Sequence, residues 1–439
     1  MAGRLLAAAS LALLAAAAVA GGAPSGTQRA RPHFELLGHA NPGGGYSGDV
    51  VGERHYAYLS SHKGRSDCPA QGVRVYDLSN PRRPRRIATF ADGRSTPTLK
   101  DAWTEKTIVR SVRTSAFDGV LAVTSVQACP AGLFGGFALY DVTRPRHPRR
   151  LALVRTEPRG SHEIWVATAR GHVWVYTALA SAEFAATPQQ YGFHIFDVSD
   201  PRKPREVGGW SACRDLHLCT PISSPTGNNI SFLVHSVITN PAATRAYLSY
   251  WDLGTVILDI SNPAKPRYLG RTRPPQGNAH SAWLADGGRI LVETHETDEG
   301  KPVIYDVSKP TTPKQLAIVR LTKAQLARGA RGSAIGQVSG IGLTDSVHDP
   351  KVMGKLALFS WYAQGVVAFD ISHPRHPRFV ARFLPARGRD AHGLLCPGTR
   401  CRAVWGVFPV ARYVLASDIN SGLWVLRLRR AQGRSPHAL

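Results

Sequence analysis

The chain has 439 residues, with 54 Lys and Arg against 30 Asp and Glu, a formal charge of +24 at pH 7. With 43% hydrophobic residues it can bury a core, which excludes an intrinsically disordered chain. Its 42 Gly and 31 Pro follow no collagen period, so they read as many turns and exclude helical bundles and coiled coils.

The N-terminus reads as a secretory signal peptide over residues 1–20. Arg4 precedes the run Leu5–Ala20, which ends in the small-residue site Ala18-Val19-Ala20 before Gly21. The run is short for a membrane span, and no Cys near the cleavage point would carry a lipid anchor. Residues 21–32 read as a flexible segment, 33–430 as one domain and 431–439 as a flexible tail. A chain with this address is secreted or extracytoplasmic, where its six cysteines are expected to form three disulfides. Spacing pairs Cys213 with Cys219 and Cys396 with Cys401, each closing a short loop. Cys68 and Cys129 remain, each in a Cys-Pro-Ala context. Thiolate metal ligation is the weaker alternative, because there is no Cys-x-x-Cys pair.

Six segments share one pattern, among them VRVYDLSNPRRPRRI from Val73, FALYDVTRPRHPRRL from Phe137 and FHIFDVSDPRKPREV from Phe193. TVILDISNPAKPRYL from Thr255, PVIYDVSKPTTPKQL from Pro302 and VVAFDISHPRHPRFV from Val366 complete the set. The pattern's Asp falls at 77, 141, 197, 259, 306 and 370, and a degenerate seventh copy, GLWVLRL from Gly422, puts Arg427 at that place. Each copy is a β-branched strand, a turn and another apolar strand. The Asp and Ser/Thr side chains accept backbone N–H bonds in the turn, and the two prolines stop the strand from continuing. A second hairpin precedes each turn, giving four short strands per unit of about 60 residues.

That arithmetic predicts an all-β fold, a β-propeller of four-stranded blades, seven in number. HFELLGHA from His33 resembles the outer strand PRYLGRT, and the seventh copy lacks such a strand. The N-terminal strand of the mature chain is therefore expected to complete the last blade and close the ring. The repeated [VI]x[VIF][YF]D[VIL][ST]xPxxP resembles the LVIVD repeat of secreted and surface bacterial proteins. The resemblance implies the propeller and is nearly silent on function; the Arg-rich turns depart from its usual acidic or neutral character.

In a propeller, the turn between third and fourth strands lies on one face. The start of the innermost strand and the loop between second and third strands lie on the other. The first face collects Arg82, Arg83, Arg85, Arg86, Arg146, Arg149, Arg150, Arg202, Lys203, Arg205, Lys265, Arg267, Lys314, Arg375 and Arg378, with His147, His373 and His376. Such a field attracts an anionic cell-wall polymer or membrane surface; the plain alternative is solvation by a compositional bias. No reading helix or stacking aromatic motif points to a specific nucleic-acid partner.

On the opposite face, four consecutive units place a histidine where the innermost strand begins: His162, His235, His280 and His348. The other units place Ser47, Ser111 and Trp405 there. Trp251, Asp252, His295, Glu296, Trp361, Tyr362, Asp418 and Asn420 join them from loops, forming a mouth for an unknown ligand or protein. Four imidazoles are a candidate site for Zn, Cu, Fe or Ni. Glu163, Glu296 or Asp349 would then complete the sphere or act as a general base. The alternative is an ordered polar channel, and His194, within a strand, reads as structural. There is no GxSxG, Walker loop or HExxH. LTKAQLARGARG from Leu321 opens an insert that reads as a short surface helix, and Asn229-Ile230-Ser231 is a weak glycosylation sequon. Two readings follow: a binding or scaffold module with a His-rich mouth, or a metal-dependent hydrolase or oxidoreductase. Ring closure leaves no long free edge, so a monomer is expected.

Overall fold

The computed structural model describes residues 32–43, 46–63, 68, 71–129, 133–156, 159–179, 192–219, 232–273, 278–296, 300–327, 346–391, 393, 395–396 and 398–429. The segment expected to be a signal peptide, the sequon, the expected C-terminal tail and most of the insert after Leu321 lie outside them. Pro32–Arg429 form one compact unit.

Among the described residues, Gly388–Arg389 pairs with Arg400–Cys401 in a small two-stranded sheet, and seven antiparallel sheets of four or five strands follow one another along the chain. Their innermost strands are Tyr46–Glu53, Thr107–Arg113, Glu163–Ala169, Val234–Thr239, Ala279–Ala285, Asp349–Met353 and Val404–Val410, which number blades 1 to 7. Each packs against the innermost strand of the next blade, and the seventh packs against the first, so the ring is closed. The fold is the expected seven-bladed β-propeller. Blade 2 adds a two-residue strand, Ala102–Trp103, that pairs with Gln127 and Ala128. His33–Ala40 runs antiparallel to Gly422–Arg429, from His33 opposite Arg429 to Ala40 opposite Leu423. The N-terminal segment is thus the outer strand of blade 7, as its likeness to PRYLGRT implies.

The repeated turn works as its residues predict. The Asp141 carboxylate accepts from the Thr143 backbone N–H at 3.0 Å and its hydroxyl at 2.6 Å. Its second oxygen meets Arg149 of the outer strand at 2.9 Å. The same geometry recurs at Asp77, Asp197, Asp259 and Asp370. These turns are self-neutralising in part, so the arginine face carries less free charge than its residue count implies.

Packing between blades is equally periodic. Seven apolar clusters each span one blade interface, for example Trp174, Phe193 and Trp210 of blade 3 against Val237, Leu248 and Tyr250 of blade 4. A glycine in the outer strand lets the next blade's proline turn approach: a Cβ on Gly270 would stand 2.4 Å from the Pro310 carbonyl oxygen. Gly38 holds the same relation to Pro81, across the closure.

All three disulfides form as the spacing indicates, Cys68–Cys129, Cys213–Cys219 and Cys396–Cys401. They tie loops on the face where the innermost strands begin, and the first joins blade 1 to blade 2. The described part of the insert, to Ala327, is turn rather than the expected helix. His194 faces Glu206 of the neighbouring strand at 2.8 Å.

Candidate metal centre on the propeller axis

The histidines come together because the innermost strands bulge where they start. His235 has no partner in the ladder between Val234 opposite Tyr250 and Ser236 opposite Ser249. His280 is skipped likewise between Ala279 and Ser281, as is Trp405 between Val404 and Gly406. A bulge turns an extra side chain out of the pleat, here toward the axis. His162 and His348 stand directly before their strands. The ring centroids of His162 and His235 are 4.2 Å apart, those of His235 and His280 4.0 Å, and those of His280 and His348 4.1 Å.

Each imidazole is oriented by its neighbours. His235 Nδ1 lies 3.2 Å from the His280 carbonyl oxygen, and His280 Nδ1 lies 2.7 Å from that of His348. Both bonds require Nδ1–H, so each ring keeps the Nε2 lone pair. The Nε2 atoms of His162 and His235 approach to 2.7 Å. Nε2 of His348, a residue 1% exposed, is buried without a hydrogen-bond partner, 3.9 Å from Oε1 of Glu105. Burial holds all four histidines well below the ordinary imidazole range, so they are neutral, the form that ligates metal.

Glu296 reaches this tier, its Oε2 3.5 Å from His280 Nε2, while Tyr362 donates its hydroxyl to the other carboxylate oxygen. Burial pushes Glu296 up to about 7. His235, His280 and Glu296 each offer a ligand atom within 4.8 Å of the others.

Blades 1 and 2 differ from the expectation. Their axial residues are Gly48–Asp49 and Glu105–Lys106, not Ser47 and Ser111. Ser111 lies at the far end of its strand, donating to Glu53 at 2.9 Å. The second strand of blade 2, Asp118–Ala128, has eleven residues, which displaces any count back from the repeat. Glu105 accepts from the Trp405 indole N–H at 3.1 Å and stands 3.2 Å from His162 Nδ1. Burial, then Glu163 and Glu296, raise its carboxyl well above the usual range.

One residue further along, a second tier carries charge. Lys106 Nζ meets Asp49 at 2.8 Å, Asp349 at 3.3 Å and Glu163 at 3.5 Å, and Lys351 pairs with Asp349. Burial pushes Glu163 up to about 7, whereas the two lysines outweigh burial at Asp349 and hold it low. Glu163 and Asp349 are therefore ion-paired beneath the imidazoles rather than beside them.

The loop residues divide. Trp251 stacks on His235 with centroids 5.0 Å apart, and Asp252 accepts from Asn278 close by. His295 is turned aside: its Nε2 meets Glu293 at 2.7 Å, and that carboxylate also holds Thr255 and Thr272 between blades 4 and 5. Trp361 is fully buried in the core between blades 5 and 6. Asp418 spends its oxygens on the backbone N–H groups of Ala403, Asn420 and Ser421.

No curated protein matches this sequence. Among solved structures, Raptor of Chaetomium thermophilum is similar over 92% of this chain, with a TM-score of 0.58 and 11% identity. The match spans 30% of that chain, and at this identity the likeness is one of fold. Residues 246–272, from the second to the outer strand of blade 4, match the family model of the LVIVD repeat. Disulfides and repeat are together consistent with an extracytoplasmic location. The chain is a seven-bladed β-propeller that carries an LVIVD repeat, an architecture suited to binding or scaffold roles.

Proposed function

We propose that the protein is an extracytoplasmic binding propeller whose axis holds a divalent transition-metal ion. His235, His280 and Glu296 are the first ligands, and His162 and His348 complete the set. The supporting observation is the His348 Nε2, buried without a partner next to the group His235, His280 and Glu296, whose ligand atoms lie within 4.8 Å of one another. An unpartnered buried polar group costs about 1–3 kcal/mol, and a bound ion removes that cost. Neutral imidazoles with a carboxylate suit Zn, Cu, Fe or Ni; on binding, the His235, His280 and Glu296 atoms would draw together around the ion, and the His162 and His235 Nε2 atoms, 2.7 Å apart, would spread. Gln127, whose Oε1 is 2.8 Å from His162 Nδ1, then orients that ring, and Glu105 balances the ion's charge from the next position.

The test is elemental analysis of protein produced without a histidine tag. The expected result is one transition-metal ion per chain, lost in the double variant His235→Ala/His280→Ala and bound at least about tenfold more weakly in Glu296→Gln. No transition metal above trace, after dialysis against each of the four ions, sinks the reading.

The arginine face supports a second element of this proposal, docking to an anionic wall or membrane surface. Arg83, Arg86, Arg150, Lys203 and Arg375 project there beyond the paired turns. Among the described residues no helix is long and apolar enough to cross a membrane.

A further inference from the structure

The cavity on the axis lies at the end away from the histidines. It has a volume of about 490 Å3 and is lined by the later halves of the innermost strands, from Val51 to Glu53 in blade 1 and from Ile108 to Ser111 in blade 2. It therefore belongs to the face of the proline turns. Its floor is the Lys106 tier and its walls include Trp165, Trp283, Ile238 and Phe408.

Among the described residues that line this cavity, Glu53 and Arg110 are the charged groups without an ion pair. Lys106 and Lys351 are ion-paired to Asp49, Glu163 and Asp349. Arg110 forms no ion pair with a described carboxylate. Glu53, the acid that acts on it, has its Oε1 engaged by Ser111. The Arg110 guanidinium lies over Trp165 with 5.0 Å to the ring centroid, and its Nε is buried without a partner. A guanidinium stacked on an indole keeps its in-plane fork free for a carboxylate. The two indoles meet edge to face at 5.5 Å, and Trp165 is pinned by its N–H to Thr239. Lys351 covers Trp283 at 4.8 Å. One face of each indole thus carries a cation, which opposes a cationic ring at this wall; with Lys106 and Lys351 paired to acids, the unpartnered Arg110 fork is the group that meets an anion, beside Glu53.

We propose that this cavity binds a small aromatic carboxylate, its carboxylate on the Arg110 guanidinium and its ring against Trp283, Ile238 and Phe408. The volume falls within the range of small-molecule sites, and the lining has their usual composition of apolar wall with few oriented polar groups. The site is separate from the metal reading and does not depend on it.

The experiment titrates 2-naphthoate into the full chain, following tryptophan fluorescence and calorimetry, with benzoate and 2-naphthylmethylamine as comparison probes. Saturable binding of the carboxylates and none of the amine is expected. Arg110→Met should weaken naphthoate about 30-fold, Arg110→Lys should recover part of that, and Trp283→Leu should weaken it several-fold. Melting curves establish that each variant is folded, and Ile238→Glu, which puts a like charge in the wall, serves if Arg110→Met is not. Repeating the titration on chelator-treated wild type separates this site from the metal centre, since binding should persist there. Tight binding of the amine, unchanged affinity in Arg110→Met, or no saturable carboxylate binding by folded wild type overturns the proposal.

Discussion

Replacing Lys106 by Met removes the one cation that touches Asp49, Glu163 and Asp349 together. Met keeps the length of the stem, so little volume is lost. Lys351 still serves Asp349, which leaves Asp49 and Glu163 as the uncompensated acids. Breaking a buried ion pair by removing one partner costs about 3–5 kcal/mol. With an unfolding entropy of about 2.1 cal/mol/K per residue over residues 32–429, 4 kcal/mol lowers Tm by about 5 °C. The deficit must also depend on pH, and its sign follows from the acids. Glu163 already has a folded value of about 7 against an ordinary 4.5. A carboxyl raised by folding takes up its proton more readily in the folded state. Its penalty is absent below the unfolded value and grows as pH rises toward the folded one. Without Lys106 the Glu163 carboxyl moves up further, so the loss of stability should be largest near pH 8 and shrink toward pH 5. Melting curves of chelator-treated wild type and variant at both pH values measure this, and Glu163→Gln in the Lys106→Met background should restore part of the loss at pH 8. A deficit equal at both pH values, or larger at pH 5, would show that Lys106 acts by packing and not by charge.

Other consequences are simpler to check. Gly270→Ala places a Cβ against the Pro310 carbonyl oxygen and should cost about 1–3 kcal/mol, a Tm loss of about 1–4 °C, whereas Gly354→Ala has open space around it and is strained only by its backbone. Deleting residues 33–40 opens blade 7 and exposes the ladder edge of Gly422–Arg429; the truncated chain should aggregate or melt well below the intact one, and an unchanged Tm would count against closure by this strand. Vesicles rich in phosphatidylglycerol should retain the protein at low salt and release it at about 0.5 M, because the Debye length then falls to about 4 Å; retention insensitive to salt argues against an electrostatic surface. Asp141, held below its ordinary value against burial by Thr143 and Arg149, contributes stability above that value that is lost as pH falls through the folded one. Asp141→Asn should therefore narrow the stability gap to wild type as the pH is taken from 5 to 2 in thermal melts.

The periodic features of this protein are local, and local chemistry reads directly from a chain. An Asp and a hydroxyl two residues apart make the same turn in any blade, and two prolines end the strand wherever they fall. That is why blade count, the closing strand from His33 and the cysteine pairs were all readable. The four histidines were found because three features coincide: imidazole, repeat position and strand start. Glu105 and Lys106 carry no such signal, since the long second hairpin of blade 2 shifts them out of phase with the repeat. Trp361 and His295 sit next to residues that do face the axis, and alternation along a strand sends neighbours to opposite sides. Which way a side chain points at a bulge, and which end of the axis stays open, depend on contacts between blades separated by tens to hundreds of residues. Lys106 meets Asp349 across 243 positions, and only closure of the ring makes them neighbours. The repeat specifies a wheel; what gathers at its hub follows from the non-repeating residues that the wheel's geometry brings together.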